Sequence, residues 1–268
     1  MPKFCANLSM LYGEHAFLDR FDAAAADGFG GVEFLFPYAF PAGEIAARLK
    51  RNGLVQVLHN LPAGNWDAGE RGIACDPDRA DEFHAGVAQA IDYATALGCP
   101  QVNCLVGIPP AGVDPARIRR TLVANLGRAA RELGKARIRL LIEPVNGHDI
   151  PGFWLQRVED AATLIEETGS DNIFIQYDIY HQQRSAGELI ATFRRFRDRI
   201  AHVQVADNPG RGEPGTGEIG YGRIFAMLDD AGYQGWIGCE YRPAAGTSAG
   251  LGWRDTLARP TAGPEIAA

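Results

Sequence analysis

Two runs, Ile138-Arg139-Leu140-Leu141-Ile142-Glu143 and Ile173-Phe174-Ile175-Gln176-Tyr177-Asp178, decide the fold. Each is six residues long, largely apolar, and ends on a carboxylate. The interval between them holds a helix candidate that stops at Gly169, where a left-handed cap favours glycine. The same strand-then-helix unit recurs in both directions. Residues 4–9, 31–35, 54–59 and 101–106 are strand-like before it, and 201–206 and 235–241 after it. Repeated strand–helix order implies parallel strands with right-handed crossovers. Eight such units predict a closed (β/α)8 TIM barrel of the α/β class, since an open doubly wound sheet usually has fewer strands and a glycine-rich first turn.

Helix-end signals support this parse. Asp114-Pro115 reads as an N-cap with proline at the first helical position, followed by Ile118, Leu122, Leu126 and Leu133 at helical spacing. Gly98 stands where another helix should stop, and Ser185 with Glu188 has the spacing of a capping box. The chain has 268 residues, and α/β barrels commonly reach about 250 as one domain. No linker or composition shift divides it, so one domain is expected over residues 1–258. The last ten residues, 259–268, carry two prolines and are expected to fray.

With 46% hydrophobic residues and a formal charge of −7, the composition is that of a globular chain without a basic run. It argues against nucleic-acid and anionic-membrane partners, but not against a small anion held by one arginine. Cys5, Cys75, Cys99, Cys104 and Cys239 are odd in number and form no C-x-x-C pair, which suits reduced thiols in a reducing compartment. With no signal-peptide pattern and no apolar run long enough to span a bilayer, the expected location is cytoplasmic. A homo-oligomer is compatible with the sequence.

The last four strands end alike in one respect: Glu143, Asp178, Gln204 and Glu240 all fall on the same side of the two-residue alternation. Ile142, Tyr177, Val203 and Cys239 fall on the other. Inward-pointing carboxylates in an apolar barrel repel one another and are costly to desolvate, and a divalent cation removes both problems. Three carboxylates and an amide oxygen make a hard site, suited to one Mg2+ or Mn2+ more than Zn2+. Two long connections, 60–78 and 207–221, follow strand C-termini and therefore hang over this face. The first contains Trp66 and three glycines and is expected to act as a lid.

The runs Ile142-Glu143-Pro144-Val145-Asn146, Tyr177-Asp178-Ile179-Tyr180-His181-Gln182 and His202-Val203-Gln204-Val205-Ala206-Asp207 resemble the hydroxypyruvate isomerase family. So do Pro209-Gly210-Arg211, Glu213-Pro214 through Gly217-Glu218, and Cys239-Glu240-Tyr241. That family includes a 2-oxo-tetronate isomerase branch and belongs to the wider xylose-isomerase-like barrels. The resemblance implies isomerisation of hydroxypyruvate to tartronate semialdehyde, or of a related keto acid. It implies metal ligands at Glu143, Asp178, Gln204 and Glu240, with acid–base roles for Glu143 and Glu240. Among sugar epimerases on similar barrels the seventh-strand ligand is usually histidine, so Gln204 favours the keto-acid branch.

His181, three residues past Asp178, is a candidate to bind a substrate oxygen. Arg211 in the seventh loop is a candidate for the substrate carboxylate. His59, ending the third strand, is expected to face the mouth and is a candidate to bind substrate. Gly215-Thr216-Gly217-Glu218-Ile219-Gly220 matches G-x-G-x-x-G but follows the seventh strand instead of opening the first, so a dinucleotide site is not expected. The rivals are a ketose or polyol epimerase, an endonuclease IV-like metal nuclease, which would need histidine-rich zinc sites and a basic face, and a non-catalytic binding barrel, which would have lost a ligand.

Overall fold

A computed structural model describes residues 2–257 and contains the closed barrel. The strands are β1 (Lys3–Asn7), β2 (Gly31–Phe34), β3 (Val55–Asn60), β4 (Gln101–Cys104), β5 (Arg139–Ile142), β6 (Ile173–Asp178), β7 (Ile200–Val205) and β8 (Trp236–Cys239). All neighbours are parallel, and β1 pairs with β8 to close the ring. The expected tail at 259–268 lies outside the described residues.

Nine α-helices are described: α1 (Arg20–Ala26), α2 (Ala42–Asn52), α3 (Ala80–Leu97), α4 (Pro115–Lys135), α5 (Val158–Thr168), α6 (Ile179–Ser185), α7 (Leu189–Phe196), α8 (Tyr221–Asp230) and α9 (Trp253–Leu257). Asp114 caps α4 by accepting from the Ala116 N–H at 3.2 Å, with Pro115 at the first position. Gly98 and Gly169 end α3 and α5 in the left-handed conformation. The Ser185–Glu188 capping box does not form. Ser185 is the last residue of α6, and Glu188, itself left-handed, precedes α7 without a side-chain cap. The helix begins three residues later than the box requires.

Strand alternation sorts the side chains into two layers. Ile142, Tyr177, Val203 and Cys239 join the large apolar layer between strands and helices, as the two-residue period predicts. Cys5, Val57, Leu58 and Leu141, with Phe174, Ala201 and Trp236 against them, fill the inside of the barrel. Above this plug the inward positions turn polar, and that change places the site at the C-terminal mouth. All five cysteines are free and buried. Among the described residues, no helix is long and apolar enough to cross a membrane.

Candidate active site

Asn7 ends β1, Asn103 lies in β4, Gln176 and Asp178 in β6, and Gln204 in β7. Glu143 and Glu240 sit one residue beyond β5 and β8, where the ladder gives way to loops. All seven are buried. Asp178 is also the N-cap of α6. Its Oδ1 accepts from the backbone N–H groups of Tyr180 (2.7 Å) and His181 (3.2 Å), while its equally buried Oδ2 has no hydrogen-bond partner. One oxygen is thus clamped by the helix start and the other is left for the cavity. Asn103 Nδ2 donates to Glu143 Oε2 at 3.2 Å. Glu240 Oε2 accepts from Asn7 Nδ2 (3.0 Å) and Gln204 Nε2 (2.5 Å), and its Oε1 from Arg211 Nη2 (2.6 Å).

These carboxyl groups hold protons more tightly than free ones do. Burial, then the charges of Glu240 and Asp178, raises Glu143 well above the ordinary range. Burial raises Asp178 against the pull of Arg211 and the capping N–H groups. Burial pushes Glu240 up to about 8, with Arg211 opposing and Asp178 and Glu33 adding to the rise. His181 is held neutral, first by burial and then by the Arg211 charge. The Asn146 N–H donates to His181 Nδ1 at 3.4 Å, while Arg211 Nη2, which can only donate, stands 3.4 Å from Nε2. That nitrogen stands 3.8 Å from Asp178 Oδ2 and 3.9 Å from Glu143 Oε1.

Arg211 occupies a left-handed position, φ 55°, in a loop folded around Asp207. The Asp207 carboxylate accepts from the N–H groups of Asn208, Gly215 and Ile219. A Cβ on Gly217 would overlap the Asn208 carbonyl, so the glycine-rich run serves this loop's packing. Besides Glu240, the Arg211 guanidinium lies 3.8 Å from Asp149 and 3.9 Å from Asp178.

His59 does not reach the mouth. β3 carries an extra residue opposite Val32/Glu33, which brings Phe34 level with His59. The imidazole therefore turns to the helix side, stacked on Phe34 and against Tyr38, with both ring nitrogens lacking hydrogen-bond partners. Burial lowers its pKa to about 4. Asn60 takes the inward place, accepting from Asn103 Nδ2 at 3.3 Å.

The reading of the last four strands passed over Glu33, which lies on β2 beneath the carboxylates and is fully buried. Its oxygens meet His202 Nε2 (2.7 Å), Gln204 Nε2 (2.7 Å) and Asn7 Nδ2 (3.0 Å). Burial alone would raise its pKa, but His202 and the amide donors outweigh burial and lower it. Glu33 therefore stays ionised and orients the two amides that hold Glu240. A glutamate interrupting the apolar run 31–35 was the available signal.

Glu143, Asp178 and His181 place donor atoms within 4.8 Å of one another, a buried cluster able to hold a metal ion. The residues present fit such an ion, because Asp178 Oδ2 is buried without a hydrogen-bond partner and one guanidinium, Arg211, stands against three buried carboxylates. Gln204 stands at the same site with its Nε2, not its oxygen, toward Glu240, while its Oε1 accepts from Gln176 Nε2 at 2.6 Å. Gln176 Oε1 has no partner, but a half-turn of both amides would set the Gln204 oxygen against the Glu33 and Glu240 carboxylates that accept from its Nε2.

The first long loop, 60–78, flanks the cleft. Trp66 packs on Phe36 with ring centroids 5.0 Å apart, and Glu70 is paired with Arg79 at 2.5 Å. Gly64 and Gly72 have positive φ and leave no room for a Cβ, against Glu70 and the Leu105 carbonyl respectively. These two glycines are required by close packing, a different role from the freedom of movement expected of them.

A parallel eight-stranded barrel with acids at its C-terminal mouth defines the class, and residues 21–257 match the family described as xylose isomerase-like TIM barrel. Within it, the chain is 55% identical over 255 residues to hydroxypyruvate isomerase of Escherichia coli (strain K12), covering 95% of this chain and 99% of the other. It is 49% identical over 253 residues to 2-oxo-tetronate isomerase of Cupriavidus necator, covering 94% and 97%. The chain belongs to the hydroxypyruvate isomerase/2-oxo-tetronate isomerase family and is an isomerase of that type. A Brucella melitensis crystal structure described as AP endonuclease, family 2, superposes with TM-score 0.93 at 42% identity, covering 96% and 99%.

Proposed function

We propose that this isomerase interconverts a small hydroxy-keto acid and its carbonyl-shifted isomer: hydroxypyruvate with tartronate semialdehyde, or a 2-oxo-tetronate with the 3-oxo-tetronate. One observation carries the reading: Glu143 and Glu240 open into the same cleft of about 360 Å³, and both are held well above the ordinary carboxylate range. Moving a carbonyl to the adjacent carbon takes a proton from one carbon and returns one to its neighbour. Two carboxyl groups raised by burial perform those transfers, one as base and one as acid.

Glu143, Asp178, Gln204 and Glu240 would hold one divalent cation, Mg2+ or Mn2+ in preference to Zn2+ given the predominance of oxygen donors. When bound it would supply Lewis-acid stabilisation of the enediolate charge. His181, lining the same cleft, would hydrogen-bond a substrate oxygen. Arg211 offsets the acid cluster and borders the same cleft. Leu35, Leu105, Val145, Ile150 and Trp66 line it and limit water. The names of the Escherichia coli and Cupriavidus relatives support the two substrate choices. The five free, buried thiols support a cytoplasmic location.

The nuclease description of the Brucella protein is the weaker guide. Each metal-capable cluster among the described residues contains a single histidine, and the chain's charge is −7. Neither favours a phosphodiester substrate. The test is a panel of hydroxypyruvate, 2-oxo-tetronates, ketohexoses and abasic-site DNA, assayed after metal stripping with Mg2+, Mn2+ or Zn2+ restored. Turnover of the keto acids alone is expected. Selective turnover of a ketohexose or cleavage of the DNA would reject the reading.

A further inference from the structure

An acid entering this cleft adds a negative charge to Glu143, Asp178, Glu240 and Asp149, so a cation must be free to receive it. Arg211 is already engaged with three of those four: Glu240 at 2.6 Å, Asp149 at 3.8 Å and Asp178 at 3.9 Å. Resting on the keto-acid reading above, we propose that Arg71, on the loop after β3, receives the substrate carboxylate and selects acids over neutral sugars. Arg71 lines the same cleft as Glu143, His181 and Glu240. Its Nη1 donates to the carbonyls of Trp66 (3.0 Å) and Glu70 (2.7 Å), and its guanidinium stacks on the Trp66 ring, 4.0 Å from the centroid. Nε and Nη2 make no hydrogen bond among the described residues, and no described carboxylate pairs with them. The adjacent acid, Glu70, is taken by Arg79.

The arginine is also held in place before substrate arrives. Gly72, the next residue, sits at φ 112° against the Leu105 carbonyl, and Gly107 at φ 104° against Gly72. A Cβ at either position would overlap backbone. A stacked, backbone-anchored guanidinium with one free edge presents the paired donors that a carboxylate takes, at little further loss of side-chain freedom.

Arg71→Met keeps length and stacking on Trp66 but removes the charge and the donors. With metal saturating, this variant should raise KM for hydroxypyruvate by about 10–100-fold and leave kcat within a few-fold, the range expected for losing hydrogen bonds to a charged group. Arg71→Lys should recover part of the loss. The Kd of D-glycerate, a non-reacting three-carbon hydroxy acid, should rise in parallel by calorimetry. Unchanged KM and Kd, a loss confined to kcat, or a carboxylate loss in Arg211→Met without one in Arg71→Met would overturn the proposal. Because D-glycerate binding needs no turnover, an enzyme inactive on hydroxypyruvate would defeat the keto-acid reading while still reporting on Arg71.

Discussion

Gly238 faces Glu33 across the barrel so closely that a Cβ on residue 238 would overlap both carboxylate oxygens. The small residue on β8 makes the space in which a buried carboxylate from β2 can reach His202, Gln204 and Asn7. Gly238→Ala should therefore displace Glu33 and loosen the amides that hold Glu240. Overpacking of this kind costs about 1–3 kcal/mol. Thermal unfolding should show that loss, and metal titration should show weaker binding in the variant. Stability and metal affinity equal to those of the parent would remove Glu33 from any part in arranging the site.

Asp178 has two duties that substitution can separate. Asp178→Asn retains a side-chain oxygen for the Tyr180 and His181 N–H groups but brings no charge to the cation site. It should keep the fold, whereas loss of the cap in Asp178→Ala should cost a further ~1 kcal/mol. Both variants should lose most metal, read by elemental analysis after dialysis. Full metal content in Asp178→Asn would show that the charge is dispensable.

Without metal, the site should make stability depend on pH in a definite sense. Glu143 and Glu240 have folded pKa values raised above their unfolded ones. Their contribution is complete below the unfolded pKa and is lost as pH rises through the folded values, for Glu240 up to about 8. His181 and His59 have lowered pKa values and act oppositely, adding stability as pH rises toward 6.5. Glu33, also lowered, acts only at more acid pH. Asp178, also raised, acts in the same sense as the glutamates, and above about pH 6.5 neither histidine opposes them, so the Tm of chelator-treated protein should fall from there to about pH 8. Mn2+ should abolish most of the fall. A flat or rising Tm in chelator would contradict the raised affinity of these buried carboxylates for protons.

The fold was legible because strand alternation and helix caps are local signals: β6 was bounded at both ends, and Asp114, Gly98 and Gly169 cap as their types require. The inward set Glu143, Asp178, Gln204 and Glu240 followed from the same alternation. Apart from the Ser185–Glu188 box, what failed was non-local. His59 turned outward because one extra residue in β3 shifts its parity, and single-strand alternation carries no sign of a bulge. Glu33 escaped because its partners lie on β1 and β7, distant in sequence and joined only by barrel closure. Arg71 carries no local signal, because its anchoring depends on stacking over Trp66 and on Gly72 packing against the distant Leu105 carbonyl.

The central claim is that Glu143 and Glu240 move the proton between adjacent carbons of a hydroxy-keto acid. Its most direct test follows hydroxypyruvate by NMR in deuterated water, with metal saturating, for the parent, Glu143→Gln and Glu240→Gln. The amide keeps the shape and an oxygen but cannot accept the proton. The parent should form tartronate semialdehyde with solvent deuterium at the carbon that receives the proton, and each variant should lose net conversion by about 10²–10⁴-fold. One variant should still exchange hydrogen at a single carbon if the two carboxyl groups serve different carbons. Near-parental conversion by either metal-loaded variant, or no conversion by the parent, would contradict the account.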